Sequence, residues 1–306
     1  MVVEAAWGDS EERITGDDAT RTRVCTMYES RSLRISVADQ VATIRLRPVS
    51  VTFQENPPGD PHIELPTALE AMRTDNSIRV IVITGETDGE FLCAGSPDYY
   101  QSDRAAERLA DPYGQWPVGQ GVLRTFQAMT EIEKPIIAKV NGDAIGFGQS
   151  IVFGSDLIIA REDAYISDVH LGMGEVVRSE SGDTVGLPFG VAPGDGAGAL
   201  IPLFMTPTLA KEYMLLSTTY TAADLAAMHI INRAVPLDKL DETVADYSAR
   251  LLTRSAFALG WTKRILNRRV ANQLNVTLDA SSAYEQLSLL QIRHLGLAND
   301  PKTLGR

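Results

Sequence analysis

Residues 134–163 read KPIIAKVNGDAIGFGQSIVFGSDLIIARED. The segments KPIIAKVNG and SDLIIARED carry short apolar runs bounded by turn residues, which predicts two strands. Between them Gly146 and Gly148 open an apolar helix. Backbone amides at such a turn point outward at a helix N-terminus, where the helix dipole favours negative charge. The stretch therefore reads as strand, glycine turn, helix, strand, with an anion site at the turn. The other reading of the same glycines is a turn chosen for tight packing of helix on sheet.

Upstream, SLRISVAD and VATIRLRPV alternate apolar and polar residues around ADQ, the pattern of a hairpin with one buried face. PTALEAMRTD has helical spacing, and RVIVITGE is a continuous β-branched run of the kind buried on both faces. Helix-then-strand order returns in GVLRTFQAMTEIE followed by KPIIAKVNG. Strands alternating with helices imply right-handed crossovers and a mainly parallel sheet. From AGALIPLFM onward the pattern is almost wholly helical. The division that follows is a mobile, charged and aperiodic arm over 1–28, an α/β core over 29–195, and a helical region over 196–306.

The 306 residues are 44% hydrophobic and 22% charged, an ordinary globular composition. Forty acidic against 28 basic residues give a formal charge of −12, which disfavours nucleic acid and anionic membranes as partners. Cys25 and Cys93 form neither a disulfide framework nor a metal-ligand pattern, so no metal is expected. No run approaches a membrane span, and the acidic first twenty residues lack an export signal; a cytoplasmic protein acting on a small molecule is expected.

The quoted stretch, with RVIVITG and FLCAGS before it and LLSTTYTAADLAAMHIINRAVP and WTKRILN after it, resembles the crotonase (enoyl-CoA hydratase/isomerase) superfamily over roughly residues 30 to 295. The resemblance implies a spiral of βαβ units with a helical C-terminal region, assembled as a homotrimer or a dimer of trimers. It also implies an oxyanion hole for an enolate, built from the backbone amides of Ser96 and Phe147. Ala94, Gly95 and Gly146 would lie beside that hole, with Tyr99, Tyr100 and Trp116 flanking the pocket or simply packing.

Hydratases of the superfamily use two glutamates, and the matching positions here read Ser150 and His170. Serine has no useful acid–base character near neutral pH, whereas histidine titrates at about 6.5. Straightforward hydration is disfavoured. AREDAYISDVH ending in His170, PGDGAG with Asp195, and AYEQL with Glu285 instead resemble the branch of oxocamphor hydrolase and related β-diketone hydrolases. The resemblance implies retro-Claisen cleavage with no cofactor: His170, oriented by Asp195, deprotonates water, and Glu285 supports the site or protonates the enolate. By turn chemistry alone, PGDG is an ordinary turn. Two further readings stay open: an acyl-CoA hydratase, isomerase, lyase or thioesterase with a CoA thioester as substrate, and a catalytically silent oligomeric binding module.

Three departures matter. That branch has a histidine in the glycine turn where this chain has Phe147. An added polar, Gly-rich segment, residues 173–190, lies between His170 and PGDG and reads as a surface loop or a lid. Asp168, two residues before His170, is a cap, a surface charge, or the stand-in for the second glutamate. Lys263 is expected on a solvated face, or at a phosphate as in CoA-using relatives, and Cys93 as a small buried residue rather than a nucleophile. His62, His229 and His294 lie on segments without convergent partners.

Overall fold

The computed structural model describes residues 12–15, 22–52, 59–93, 113–114, 116–171, 177–178, 184–185 and 190–294. Strands β1 (Glu12–Thr15), β2 (Thr22–Glu29), β3 (Leu33–Ala38) and β4 (Val41–Leu46) form an antiparallel ladder. Asp39 and Gln40 make the two-residue β3–β4 turn at φ 48° and 66°, the paired left-handed conformation that matches hairpin twist. β1 and all but the last residue of β2 thus fall inside the segment 1–28 that the sequence assigns to an arm. The register of β2 on β3 shifts between Thr26 and Tyr28, and such a bulge breaks the period of two by which a strand is recognised.

The short helix α1 (Val49–Thr52) and α2 (Pro61–Arg73) lead into β5 (Val80–Gly85), β6 (Glu90–Cys93) and α3 (Trp116–Glu131). The opening stretch then folds as read but for one added strand before the glycine turn: β7 (Ile136–Val140), the added β8 (Asp143–Ile145), helix α4 (Phe147–Gly154) and β9 (Leu157–Arg161). After β10 (Tyr165–Ser167), the two-residue strands β11 (Val177–Arg178) and β12 (Thr184–Val185) pair with each other inside the added segment. Whether that segment is a lid lies outside the described residues. There follow α5 (Ala197–Phe204), α6 (Pro207–Leu215), β13 (Tyr220–Thr221), α7 (Ala222–Ala227), β14 (Arg233–Val235), α8 (Leu237–Leu252), α9 (Ala256–Leu266) and α10 (Arg268–His294).

The larger sheet has the order β1-β2-β3-β4-β5-β7-β9-β14, parallel from β4 onward, and a smaller one the order β13-β10-β8-β6. Every residue of β5 is buried. Ile81 and Ile83 join the main core with Leu65, Leu69, Phe126 and Phe147, while Val80 and Val82 pack on the other face with Ile137, Ile159, Leu240 and Val244. Helices on both faces are the reason this strand shows no alternation.

The end of β5 is clamped by one amide side chain. Asn141 Oδ1 accepts from Thr84 Oγ1 at 2.9 Å and Gly85 N at 2.8 Å, and its Nδ2 donates to Gly85 O and Thr87 O. Gly85 is required there because a Cβ would sit 1.8 Å from Glu90 O. Lys263 of α9 is a correction to the solvated-face reading: it is buried, 2.8 Å from Asp156 Oδ2, and donates to Lys134 O. Asp156 also accepts from Ile136 N, so this ion pair ties the C-terminal helices to the start of β7.

Asn141→Ala leaves the buried Gly85 amide and two carbonyls without their partner. A loss of about 2–4 kcal/mol in unfolding free energy is expected, measured by denaturant titration with an unchanged m-value.

Candidate active site

As β10 leaves the sheet, the next three residues form a tight turn in which an aspartate holds a histidine. Asp168 Oδ1 accepts the backbone N–H of His170 at 3.1 Å, and Asp168 Oδ2 lies 3.0 Å from ring Nδ1. Both residues are buried. The chain then makes its 172–189 excursion and returns to the same place, because Val191 N donates to His170 O at 2.6 Å. That closure brings PGDG beside the imidazole although some two dozen residues separate them in sequence.

Asp195 directly precedes Gly196, the N-cap of α5, and its Oδ1 accepts from Ala197 N at 3.4 Å. The two flanking glycines have separate reasons. Gly196 sits at φ 107°, and a Cβ on it would meet Phe126 at 2.4 Å. A Cβ on Gly194 would lie 2.3 Å from Glu285 Oε2 and 2.7 Å from Glu285 Cβ. PGDG is thus a turn whose missing side chains admit an aromatic ring on one side and Glu285 of α10 on the other.

His170 Nε2 faces two acids, Asp195 Oδ2 at 3.7 Å and Glu285 Oε1 at 3.8 Å. The sequence paired His170 with Asp195 for orientation; the carboxylate that fixes the ring is Asp168, and Asp195 lies across from the reactive edge. A local aspartate can reach Nδ1 within its own turn, which spacing alone does not reveal. Asp195 Oδ2 is buried without a hydrogen-bond partner among the described residues. Its other oxygen is held by a buried chain: Tyr213 OH donates to Gln149 Oε1 at 2.9 Å, Gln149 Nε2 to Ser150 Oγ, and Ser150 Oγ to Asp195 Oδ1 at 3.0 Å. Ser150 is therefore a positioning group for Asp195.

Burial alone would lower the pKa of His170, but Asp195, Asp168 and Glu285 together outweigh it and raise it well above 6.5. The three acids thus favour the protonated form of the ring. Burial raises Asp195, opposed by His170 and by the Ser150 hydrogen bond. Burial also carries Glu285 from 4.5 up to about 7, with His170 pulling down and Asp195 pushing up. One group of the cluster is thus poised to change protonation near neutrality. Ligand atoms of Asp168, His170 and Asp195 lie within 4.8 Å of one another, a spacing that could also hold a cation.

Gly146, at φ 60°, is the N-cap of α4, and its own N–H donates to Ser167 O. Phe147 follows as the first helical residue, so its amide has no carbonyl one turn back to bond. Ala94, Gly95, Ser96 and Tyr99 lie outside the described residues. Trp116 opens α3 and is 67% exposed. Burial pushes the Cys93 thiol up, with Glu90 and Asp143 adding to it, which suits a packing residue.

His62 was missed by the sequence reading. Its ring stacks on Phe147 at 3.9 Å between centroids, and its Nδ1 lies 2.8 Å from Asp60 Oδ1. The available signal was Asp60, which stands two residues ahead of it as Asp168 does ahead of His170. His229 is exposed.

Residues 60–286 match the profile of the Enoyl-CoA hydratase/isomerase family. A crotonyl-CoA hydratase of Syntrophomonas wolfei is 26% identical over 216 residues, 71% of this chain and 74% of that protein. A 1,2-epoxyphenylacetyl-CoA isomerase of Escherichia coli is 27% identical over 232 residues, 74% of this chain and 79% of that protein. Among solved structures, a β-diketone hydrolase from the cyanobacterium Anabaena sp. PCC 7120 superposes with TM-score 0.69 at 20% identity, covering 86% of this chain and 96% of that one. An enoyl-CoA hydratase/isomerase from Mycobacterium paratuberculosis gives 0.70 at 23%, covering 85% and 94%.

Because the folded-state pKa of Glu285 lies above its ordinary value, its burial costs stability progressively as pH rises from 4.5 through about 7. Glu285→Gln, a neutral isostere, escapes that cost. Its stability relative to wild type should increase by at least ~1 kcal/mol between pH 5 and pH 8, read from urea titrations at the two pH values; a constant difference would contradict the assignment.

Proposed function

We propose, from the premise that the chain belongs to the enoyl-CoA hydratase/isomerase family, that it hydrolyses a carbon–carbon bond of a β-diketone by a retro-Claisen reaction. The observation that carries this reading is the facing of His170 Nε2 toward Asp195 and Glu285 at 3.7 and 3.8 Å, with a serine and not an acid at position 150. The structural likeness to a β-diketone hydrolase bound to (S)-3-oxocyclohexyl acetic acid supports it.

In the proposed reaction Glu285, ionised above about pH 7, takes a proton from water as the oxygen adds to one carbonyl carbon. The bond from that carbon to the central carbon breaks, and its electron pair becomes the enolate of the second carbonyl. The Phe147 amide, with that of Ser96, holds the enolate oxygen. His170 gives its proton to the enolate carbon and recovers one from the cluster, so that diketone and water become a carboxylic acid and a ketone. Where the sequence reading makes His170 the base, this proposal gives that role to Glu285 and the acid role to His170, because the three acids around the ring favour its protonated form. The reaction as written calls for no resident cofactor.

The names of the two curated relatives favour a second reading, an acyl-CoA substrate. Against it, Lys263, the lysine that reading would use for a phosphate, is buried and engaged by Asp156 and Lys134 O. We also propose assembly as a trimer or a dimer of trimers in which α9 docks on a second copy. Phe257, Trp261 and Ile265 form an exposed apolar row at helical spacing there; a monomer in light scattering at micromolar concentration would contradict this.

His170→Ala and Asp195→Asn should each lower kcat for a β-diketone by about 10² to 10⁴ without unfolding the protein. The double variant should lose little more, because the groups act as one unit. The wild-type pH profile should rise through about 7 as Glu285 ionises and fall at higher pH as His170 loses its proton. Turnover of acyl-CoA thioesters alone would sink the diketone reading.

A further inference from the structure

Tyr213 of α6 belongs to none of the motifs from which the site was read, yet it heads the buried hydrogen bonds that end on Asp195. Tyr213, Gln149 and Ser150 are each 0% exposed, so their polar atoms must satisfy one another. Two directions of donation are open to such a series. In the one observed, Tyr213 OH donates to Gln149 Oε1 at 2.9 Å, which leaves Gln149 Nε2 to donate to Ser150 Oγ at 3.3 Å. The single hydroxyl proton of Ser150 then goes to Asp195 Oδ1 at 3.0 Å. With the amide turned over, Gln149 Oε1 would take that proton and Asp195 would lose its donor.

The phenol selects between the two directions. Burial pushes Tyr213 well above 10, Asp168 and Asp195 add to the rise, and a hydrogen bond from the Asp168 backbone opposes it. Tyr213 therefore keeps its proton at neutral pH and stands between the two aspartates of the site. A bond that opposes the rise is one that the phenol oxygen accepts, here from a backbone N–H. With its oxygen so engaged, the phenol turns its one proton to Gln149, and the amide follows. The result is felt at Asp195. Oδ1 receives Ser150 Oγ and, at 3.4 Å, Ala197 N, whereas Oδ2 has no hydrogen-bond partner among the described residues and lies 3.7 Å from His170 Nε2.

We propose that Tyr213, two side chains removed from Asp195, is a positioning residue of the site: it sets the direction of donation so that Ser150 ties down Oδ1 and Oδ2 is left to meet the imidazole. Gln149 transmits that direction. The inference rests on the β-diketone reading, in which Asp195 and His170 act as one unit. It extends that unit to a third helix, α6, which carries no other residue of the site.

The test is steady-state hydrolysis of a panel of linear and cyclic β-diketones by wild type, Tyr213→Phe, Gln149→Met, Ser150→Ala and the double variant Tyr213→Phe/Ser150→Ala, with thermal melts on each. Ser150→Ala removes a hydrogen bond to a carboxylate and should lower kcat about 10- to 100-fold. Tyr213→Phe removes only a hydroxyl and should lower kcat about 3- to 10-fold, the range for one neutral hydrogen bond, with KM little changed. In the Ser150→Ala background the same change should cost less than about twofold, because no donor to Asp195 remains to be directed. An equal loss in both backgrounds marks a general structural role and overturns the proposal. So does wild-type kcat in Tyr213→Phe, whatever its melting temperature, and either result leaves the reaction standing. If Tyr213→Phe fails to fold, wild-type kcat in Gln149→Met or in Ser150→Ala overturns it. No cleavage of any diketone by wild type overturns the reaction and this inference with it.

Discussion

One histidine enclosed by three acids is the interaction on which this site depends. Asp168 holds Nδ1 of His170, and Asp195 and Glu285 stand 3.7 and 3.8 Å from Nε2. Were all four groups ionised, the buried sum would be two negative charges in a region where charge is poorly solvated. The cluster relieves this by binding protons more tightly. Both responses follow, the high pKa of His170 and the rise of Glu285 to about 7. Acid–base readiness near neutrality is thus a consequence of burial together with an unequal count of charges.

Holding the acids so close requires a backbone that approaches where side chains would not allow it. The glycines on either side of Asp195 give up their Cβ atoms to Glu285 and Phe126, and the N-terminus of α5 adds a backbone donor to Asp195 Oδ1. The chain from Tyr213 through Gln149 and Ser150 secures the same oxygen, leaving Oδ2 to look at the imidazole. Every link is a neutral donor, so the chain places Asp195 without neutralising it. The clamp of Asn141 on the end of β5 and the Lys263–Asp156 pair serve the scaffold in the same manner, each placing one polar group where several backbone atoms need it.

The sheet order could be read where period and composition agreed. RVIVITGE announced a strand buried on both faces, ADQ a tight hairpin, and the Gly146–Gly148 turn the start of α4. β2 was not legible, because its bulge hides the alternation. His170, Asp195 and Glu285 could be named from motifs that lie far apart in sequence, but their mutual roles could not. Which carboxylate holds Nδ1 depends on a turn of three residues, and the protonation state depends on a count of buried charges that no local window contains. The surroundings of His62 and Lys263 were hidden for a related reason: what a histidine or lysine on a helix touches is not known until the element facing it is known.

The same electrostatics constrains where the proposed reaction can place its enolate. An anion formed beside Asp195 and Glu285 would meet their repulsion in a medium that screens it weakly. It has to form on the opposite side of the cleaved bond, where the structure offers amides and not acids. The start of α4 is that place: its first amide points out of the helix with the dipole behind it, and the His62 ring lies over the same residue. In the proposed reaction, water activation by Glu285 of α10 and enolate binding at the start of α4 would thereby be separated. The start of α5 holds a fixed carboxylate, and the start of α4 is left for the anion that the substrate brings.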